Sequence, residues 1–104
     1  MRRGEVWWVR FPAPVGRRPA VLVSRDQAYQ VRGAITVVPI TQTIRGIPVE
    51  VPLGPSDGIP KHSAANADGL ITVSKTRLED YLTTLAPSKL QEVERAIKFA
   101  LDLA

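Results

Sequence analysis

The sequence predicts a small, mainly β (α+β) domain: a strongly bent sheet or partial barrel of about six or seven short strands that carries one C-terminal helix. Short segments rich in valine, isoleucine, threonine and tryptophan alternate with prolines and glycines, which is typical of strands separated by tight turns. The only clear helical periodicity lies at the end of the chain. A length of 104 residues fits one domain over residues 1–104, and the absence of cysteine excludes disulfides and cysteine-ligated metals.

The first two strands are predicted on either side of a proline-rich loop. Residues 4–11 are rich in β-forming side chains and stop at Pro12, and the loop then runs through Arg18. The second strand covers residues 19–24, an apolar run that tolerates Pro19 only at its first position. The polar residues 25–33 predict a loop or a single helical turn.

Two more strands are predicted before the strongest turn signal of the chain. Residues 34–41 form the third strand, which we expect to be interrupted or bulged at Pro39. Residues 48–53 alternate and are flanked by prolines, as in a short edge strand. Residues 54–58 form the turn. Further strands are expected over residues 63–68, 70–74 and 78–85.

The C-terminal helix is indicated by apolar residues at the spacing of one helical face. Its start has two alternative interpretations: Pro87 at the first helical position, or Ser88 as the N-cap with Gln91 closing a capping box. The apolar face comprises Leu90, Val93, Ile97, Leu101 and Ala104.

The positive charge is concentrated in the first half of the chain. The formal net charge is +4, but residues 1–45 alone carry eight arginines, no lysine and two carboxylates, a net charge of +6. Guanidinium donors match the oxygens of a phosphate, so this segment favours recognition of a polyanion such as nucleic acid. A codon bias toward arginine would explain the residue type but not the asymmetry between the halves.

Most catalytic templates are absent. A serine–histidine–aspartate site would depend on the single histidine, His62, which is more typical of a turn residue. The sequence contains no glycine-rich phosphate loop and no spacing that forces two carboxylates together. We therefore expect no bound metal and no cofactor, and the remaining candidates are arginines on loops.

Two positions are candidates for phosphate chemistry. Arg17 and Arg18 lie where the first loop enters the second strand, and Pro19 stiffens the backbone that carries Arg18. A rigidly held guanidinium suits stabilisation of charge on a phosphoryl group, although an arginine beside a strand is more often a solvated loop residue. Thr41 and Gln42 follow the strand proline, with the alternative that Thr41 is an ordinary β-branched strand residue.

Three other residues have a structural and a functional interpretation. Trp7 and Trp8 point to opposite sides of a strand, so at most one is in the core. The other could stack a nucleobase, although packing beneath the helix or against a second subunit is the more common role. Asp68, which precedes a glycine, could cap the backbone of a turn or face a ligand.

Taken together, these motifs resemble the MazF/PemK toxins, which are ribosome-independent endoribonucleases of bacterial toxin–antitoxin systems. The matching segments are residues 4–9, 18–24, 38–41, 63–68, 70–73 and 77–78. Each motif is weak, but the ordered set spans nearly the whole chain. The resemblance implies a plasmid-maintenance-toxin fold, an SH3-like partial barrel, that assembles as a homodimer with RNA in a groove across the two subunits.

The resemblance also implies roles for individual residues. The family's catalytic arginine falls on Arg18, its threonine at the end of the third strand on Thr41, and an acidic position on Asp68. The residues expected to contact RNA are Arg17, Gln42, Arg45, Asn66 and Asp68. The chain departs from the family at Arg10, where aspartate is common, and in its short, acid-free first loop.

The implied activity is metal-independent cleavage of single-stranded RNA at short motifs, which inhibits translation and growth. Attack by the 2′-hydroxyl would leave a 2′,3′-cyclic phosphate and a 5′-hydroxyl. The implied protein partner is a cognate antitoxin whose flexible, acidic segment covers the basic groove. With no apolar leader and no membrane-length segment, we expect a cytoplasmic protein without a membrane partner.

Two alternative functions remain open at this point. A CcdB-like toxin would bind DNA gyrase without catalysis, but such toxins resemble one another in a C-terminal tryptophan that this chain lacks. A passive RNA-binding barrel would use the same basic surface and cleave nothing.

Overall fold

Seven strands and two helices are present in the computed structural model, which describes residues 1–104. The strands are β1 (Glu5–Arg10), β2 (Arg17–Leu22), β3 (Ala34–Thr41), β4 (Glu50–Leu53), β5 (Ser63–Asn66), β6 (Ile71–Ser74) and β7 (Leu78–Thr84). The helices are α1 (Ala28–Val31), a single turn, and α2 (Pro87–Ala100). The predicted mainly β architecture with a C-terminal helix is confirmed. Neither helix combines the length and apolar character that a membrane span needs.

The strands form one antiparallel sheet in the order β4-β5-β3-β2-β1-β7, and β6 pairs with β3 on the same side as β5. Only the turn Lys75–Arg77 joins β6 to β7, although these strands lie at opposite ends of the series β6-β3-β2-β1-β7. Because so short a connection brings the two outer strands together, this series curls into a partial barrel. The predicted edge strand is confirmed, since β4 pairs only with β5.

The central strands β2 and β3 are buried on both faces where they pair with each other. Alternate side chains of a strand point to opposite faces, so Leu22 and Val37 belong to the cluster inside the barrel, whereas Val21 and Val38 face outward. The outward cluster is covered by α2, which contributes the fully buried Val93. Two-sided burial explains why β2 and β3 contain continuous apolar runs instead of a simple polar–apolar alternation.

The helical turn α1 covers part of the barrel interior with Tyr29. The Tyr29 hydroxyl donates to the carbonyl oxygen of Ser24 over 3.0 Å, and Lys75 Nζ donates to the carbonyl oxygen of Tyr29 over 2.7 Å. Burial, with a smaller effect of Asp26, raises the pKa of Tyr29 to about 12. The phenol therefore stays neutral at physiological pH.

Two expectations about prolines are wrong. Pro19 is the third residue of β2, not the first, and pairs in register with Trp8. The third strand is not interrupted at Pro39, which lies within β3 opposite Ala20. On the other side of β3, the β6 pairing ends at Val37 and the β5 pairing begins at Ile40, so Pro39 lies between two partners. A missing N–H is tolerated there because no ladder bond is lost.

The helix α2 starts at Pro87 with Ala86 as its N-cap. The alternative with Ser88 as the cap is wrong, since no side chain caps this helix. Proline suits the first helical position because its missing N–H would have no intrahelical partner there. The helix ends at Ala100, so Leu101 does not continue the buried face as expected, and the residue is 52% exposed.

Candidate functional site

Two grooves of the barrel surface meet at Arg18 and Thr41. The first, of about 470 Å³, is called here the tryptophan groove, and its other polar or aromatic lining includes Trp8, Arg17, Gln42 and Lys61. The second, of about 540 Å³, is called the aspartate groove, and its polar lining also includes Arg45, Asn66 and Asp68. Every residue with a predicted catalytic or RNA-binding role thus lines one groove or both.

The junction of the grooves is a gap between β2 and β3. The pairing of these strands ends at Ala20 and Pro39, and the register continued by two residues places Arg18 opposite Thr41. Beyond that last pair, β2 is paired only with β1 and β3 only with β5. Pro19, the residue of β2 next to the last pair, has no N–H to donate. The two candidate catalytic side chains therefore lie just beyond the end of the β2–β3 pairing.

Arg18 and Thr41 retain free hydrogen-bond donors. Arg18 is exposed and takes part in none of the side-chain hydrogen bonds or ion pairs of the structure, so its whole guanidinium is available to an anion. Thr41 is half-buried, and its Oγ1 accepts a hydrogen bond from the Thr43 backbone N–H over 3.2 Å. That bond orients the hydroxyl and leaves its own hydrogen free to donate.

Arg17, in contrast, is bound within the chain. Its Nε donates to Glu79 Oε1 over 2.8 Å and its Nη2 to Asp80 Oδ2 over 2.7 Å. Glu79 also accepts from Arg10, 2.7 Å from Nη2 to Oε2. Hydrogen bonds from Arg17 and then Arg10 lower the pKa of Glu79. Arg17 Cζ lies over the Trp8 ring, 4.4 Å from its centroid.

The predicted turn cap in the Asn66–Gly69 segment is reversed. Asn66 Oδ1 accepts from the Asp68 backbone N–H over 2.9 Å and caps the turn Ala67–Gly69. The Asp68 carboxylate, which was the expected cap, makes no hydrogen bond or ion pair and faces the aspartate groove. Asn66 is the cap because it precedes the turn, as an N-cap residue must.

The loop between β3 and β4 carries the remaining two predicted RNA contacts. The Glu50 carboxylate accepts from the backbone N–H groups of Arg45 and Gly46, over 3.0 and 2.8 Å, and so holds this loop. The Arg45 side chain has no carboxylate partner and lines the aspartate groove. Gln42, exposed, lines the tryptophan groove.

Lys61 and Trp8 line the tryptophan groove but were not among the predicted site residues. Lys61 follows the 54–58 turn and forms no ion pair, and the Ser63 hydroxyl donates to its carbonyl oxygen over 2.8 Å. A lone lysine after a turn carries no sequence signal of its own. Trp8 lines this groove, whereas Trp7 packs on Tyr81, with ring centroids 6.1 Å apart. Both tryptophans are half-buried, which agrees with the expectation that at most one is in the core.

The electrostatics of the grooves suit a phosphate chain. No carboxylate lines the tryptophan groove, and Asp68 is the single one in the aspartate groove. No group of three or more histidine, aspartate or glutamate side chains lies close enough to hold a metal ion. His62 lies in the loop before β5 and lines neither groove.

This fold and site define a member of the toxin class that the motifs resemble. Residues 2–101 match the family of PemK-like, MazF-like toxins of type II toxin–antitoxin systems, and the chain belongs to that family. The match therefore favours the MazF/PemK interpretation of the sequence over the CcdB-like toxin and the passive RNA-binding barrel.

Individual relatives are similar over nearly their whole length. A probable endoribonuclease, MazF5 of Mycobacterium tuberculosis, is 44% identical over 101 residues, which cover 96% of this chain and 92% of the relative. The structure of Mycobacterium tuberculosis toxin MazF-mt6 superposes with a TM-score of 0.88 at 26% identity, covering 96% of this chain and 98% of that one. The structure of an endoribonuclease in complex with its cognate antitoxin from a mycobacterial species superposes with a TM-score of 0.88 at 31% identity. The match covers 100% of this chain and 97% of that one.

Proposed function

We propose that this protein is an endoribonuclease that cleaves single-stranded RNA and acts as the toxin of a toxin–antitoxin pair. Family membership over residues 2–101 supports the class of activity. The observation that carries the proposal to particular residues is the position of Arg18 and Thr41, which are without anionic partners at the junction of two carboxylate-poor grooves. A single-stranded polyanion can follow both grooves and cross between these two side chains.

The reaction that fits this site is attack by the RNA 2′-hydroxyl on the adjacent phosphorus. The new P–O2′ bond gives a 2′,3′-cyclic phosphate, and the P–O5′ bond breaks to release a 5′-hydroxyl after that oxygen takes up a proton from water. Arg18 stabilises the extra negative charge of the phosphorane with its fork of donors, and Thr41 hydrogen-bonds a phosphate oxygen. This route needs the 2′-hydroxyl, so DNA is not a substrate.

Arg18 acts through its charge and its N–H donors and not as a general base, because a guanidinium group has no acceptor atom for a proton. Asp68 is the one carboxylate that shares a groove with Arg18 and Thr41, and it is unpaired. We assign to it the acceptance of the 2′-hydroxyl proton. Metal is not needed for either step.

The other predicted site residues bind the RNA on both sides of the scissile phosphate. Arg45 and Asn66 contact the strand in the aspartate groove, and Arg17 and Gln42 contact it in the tryptophan groove. The free cation Lys61 adds a phosphate contact in the tryptophan groove. Binding dominated by phosphate contacts weakens steeply with salt.

The protein partners proposed here are a second copy of the chain and an antitoxin. A similar endoribonuclease is described in complex with its cognate antitoxin, and a flexible, acidic antitoxin segment would compete with RNA for the unpaired arginines. A homodimer lets two shallow surfaces form one longer RNA groove. Action on cellular RNA places the toxin in the cytoplasm.

The test is cleavage of RNA by purified protein in EDTA, with the ends of the products identified. We expect 2′,3′-cyclic phosphate and 5′-hydroxyl ends, and a loss of about 10²- to 10³-fold in kcat for Arg18→Ala. Arg32→Ala is the matched control, since Arg32 is an exposed arginine of the basic half that lines neither groove. Retained RNA binding with no cleavage of any of several sequences would support the passive barrel instead.

A further inference from the structure

Arg17 is poorly placed to bind phosphate, although it lies next to Arg18. Two carboxylates already occupy its Nε and Nη2, over 2.8 Å to Glu79 and 2.7 Å to Asp80. The side-on pair of donors, Nε–H and one Nη2 hydrogen, is therefore used, and the charge of Arg17 is matched by two carboxylates; only the Nη1 hydrogens and the second Nη2 hydrogen remain for a phosphate. Glu79 is itself held by a second arginine, Arg10, 2.7 Å from Nη2 to Oε2.

Besides these hydrogens, Arg17 offers its planar group to the tryptophan groove. The guanidinium carbon lies over the Trp8 ring, 4.4 Å from its centroid, so the group contacts the indole. The side chain nevertheless remains 40% exposed and lines the groove beside Arg18. Glu79 and Asp80 hold the guanidinium through Nε and Nη2.

We propose that Trp8 and Arg17 form a stacking platform for one nucleobase beside the scissile phosphate, with Glu79 and Asp80 as positioning residues. Single-stranded RNA is commonly bound by stacking its bases on aromatic rings and on guanidinium planes. This inference rests on the proposed RNA-cleaving function and names the element that holds a base next to the phosphate bound by Arg18.

The ion pairs of Arg17 should make the platform bind a nucleobase more strongly than an acidic peptide side chain. An aspartate or glutamate side chain gains little at Arg17, whose charge is already matched by Glu79 and Asp80. A nucleobase needs only the exposed plane. The platform therefore contributes to RNA binding and little to binding of an acidic antitoxin segment.

The platform is tested with labelled 2′-O-methyl oligonucleotides, which bind but offer no free 2′-hydroxyl for cleavage. One mixed sequence is compared with a series in which each base in turn is removed to leave an abasic site, and affinities are measured by fluorescence polarisation. For the unmodified protein we expect one position at which loss of the base weakens binding about tenfold. In Trp8→Ala, the affinity for the intact oligonucleotide should fall by a similar factor and that abasic penalty should disappear.

Trp7→Phe is the matched control, because Trp7 packs against Tyr81 and lines neither groove. Trp7→Phe should keep the abasic penalty, that is, the roughly tenfold loss of affinity when the base at that one position is removed. A flat abasic series in the unmodified protein, or an unchanged penalty in Trp8→Ala, would overturn the platform. An acidic peptide that loses as much affinity for Trp8→Ala as the RNA does would also overturn it and point to a peptide site.

The salt dependence of RNA binding tests the positioning role of Glu79 and Asp80, because a purely structural role would leave it unchanged. In the double variant Glu79→Ala/Asp80→Ala, Arg10 and Arg17 become free to bind phosphates, and the slope of log K against log salt should steepen by about 0.7 per added phosphate contact. The abasic penalty should shrink at the same time. Glu79→Gln/Asp80→Asn, which can still accept hydrogen bonds, should restore most of the penalty, and an unchanged slope in the alanine pair would contradict the assignment.

Failure of the platform and failure of the proposed function are distinguishable. If the protein cleaves RNA but the abasic series is flat, the function stands and the platform is wrong. If one base position controls binding but no cleavage occurs in EDTA, the platform stands and the catalytic proposal is wrong.

Discussion

The Asp68 backbone N–H donates to Asn66 Oδ1 over 2.9 Å, and this bond gives the two side chains different roles. Asn66 holds the turn, so the Asp68 carboxylate is left unpaired in the aspartate groove that also contains Arg18 and Thr41. A carboxylate used as a cap would have been occupied by backbone donors. The reversal therefore makes Asp68 available for chemistry.

We predict that Asp68→Asn lowers kcat for RNA cleavage by about 10²-fold or more, because the amide cannot accept the 2′-hydroxyl proton. Affinity for a 2′-O-methyl oligonucleotide should stay equal or rise, since a negative charge leaves a groove that binds phosphates. Asp102→Asn, outside both grooves, is the control. Wild-type kcat for Asp68→Asn would remove this residue from the reaction.

Arg18→Lys should keep RNA binding within a few-fold and reduce kcat by about 10²-fold. Lysine preserves the charge but not the planar set of donors that matches the phosphorane. Single-turnover cleavage, measured beside Arg32→Lys, separates this effect from a general loss of basic charge. Near-normal cleavage by Arg18→Lys would show that charge alone suffices.

Gly58→Ala should destabilise the fold by about 1–3 kcal/mol. Gly58 has φ of 85°, and a Cβ there would also lie 2.7 Å from Thr83 Cβ. Urea unfolding measures the change. Gly33→Ala, whose Cβ would meet nothing within 4 Å, should be close to neutral. Gly58→Ala/Thr83→Ala should recover only the part of the loss that comes from contacts with Thr83 Oγ1 and Cγ2, because the Cβ of residue 83 remains. Equal stabilities for both single variants would contradict this account of the turn.

The Glu79 network should make stability depend on acid pH. Arg17 and Arg10 lower the pKa of Glu79 in the folded state, so the unfolded chain takes up a proton first as the pH falls. The contribution of Glu79 to the free energy of unfolding is complete above the pKa of this glutamate in the unfolded chain. It is lost as the pH falls through the lower pKa of Glu79 in the folded state. Urea midpoints between about pH 6 and 3 should fall less steeply for Glu79→Gln than for the unmodified protein or for Glu92→Gln.

Local chemistry in the sequence was enough to predict several elements. Pro87 starts the helix because the first turn of any helix tolerates a missing N–H, and β1 is a strand because its side chains are β-forming and a proline follows it. The gathering of Arg18, Thr41 and Asp68 was expected from the family resemblance and not from periodicity. Their roles remain predictions.

The remaining features depend on contacts between distant segments. Pro39 was expected to interrupt its strand because the sequence alone does not show that β6 pairs before it and β5 pairs after it. The occupation of Arg17 by Glu79 and Asp80 joins residues more than 60 positions apart, 62 and 63 in sequence separation. Lys61 reaches the tryptophan groove only through the path of its loop.

The closure of the barrel by β7 determines when, during synthesis, the site can exist. β1, made first, must wait for Leu78–Thr84 to gain its outer partner, and the arginine at the start of β2 waits for Glu79 and Asp80. Contacts of such long range form only after the intervening chain has been made. The nascent chain therefore lacks the closed barrel and the ion pairs that hold Arg17 until the ribosome has read most of the toxin's message.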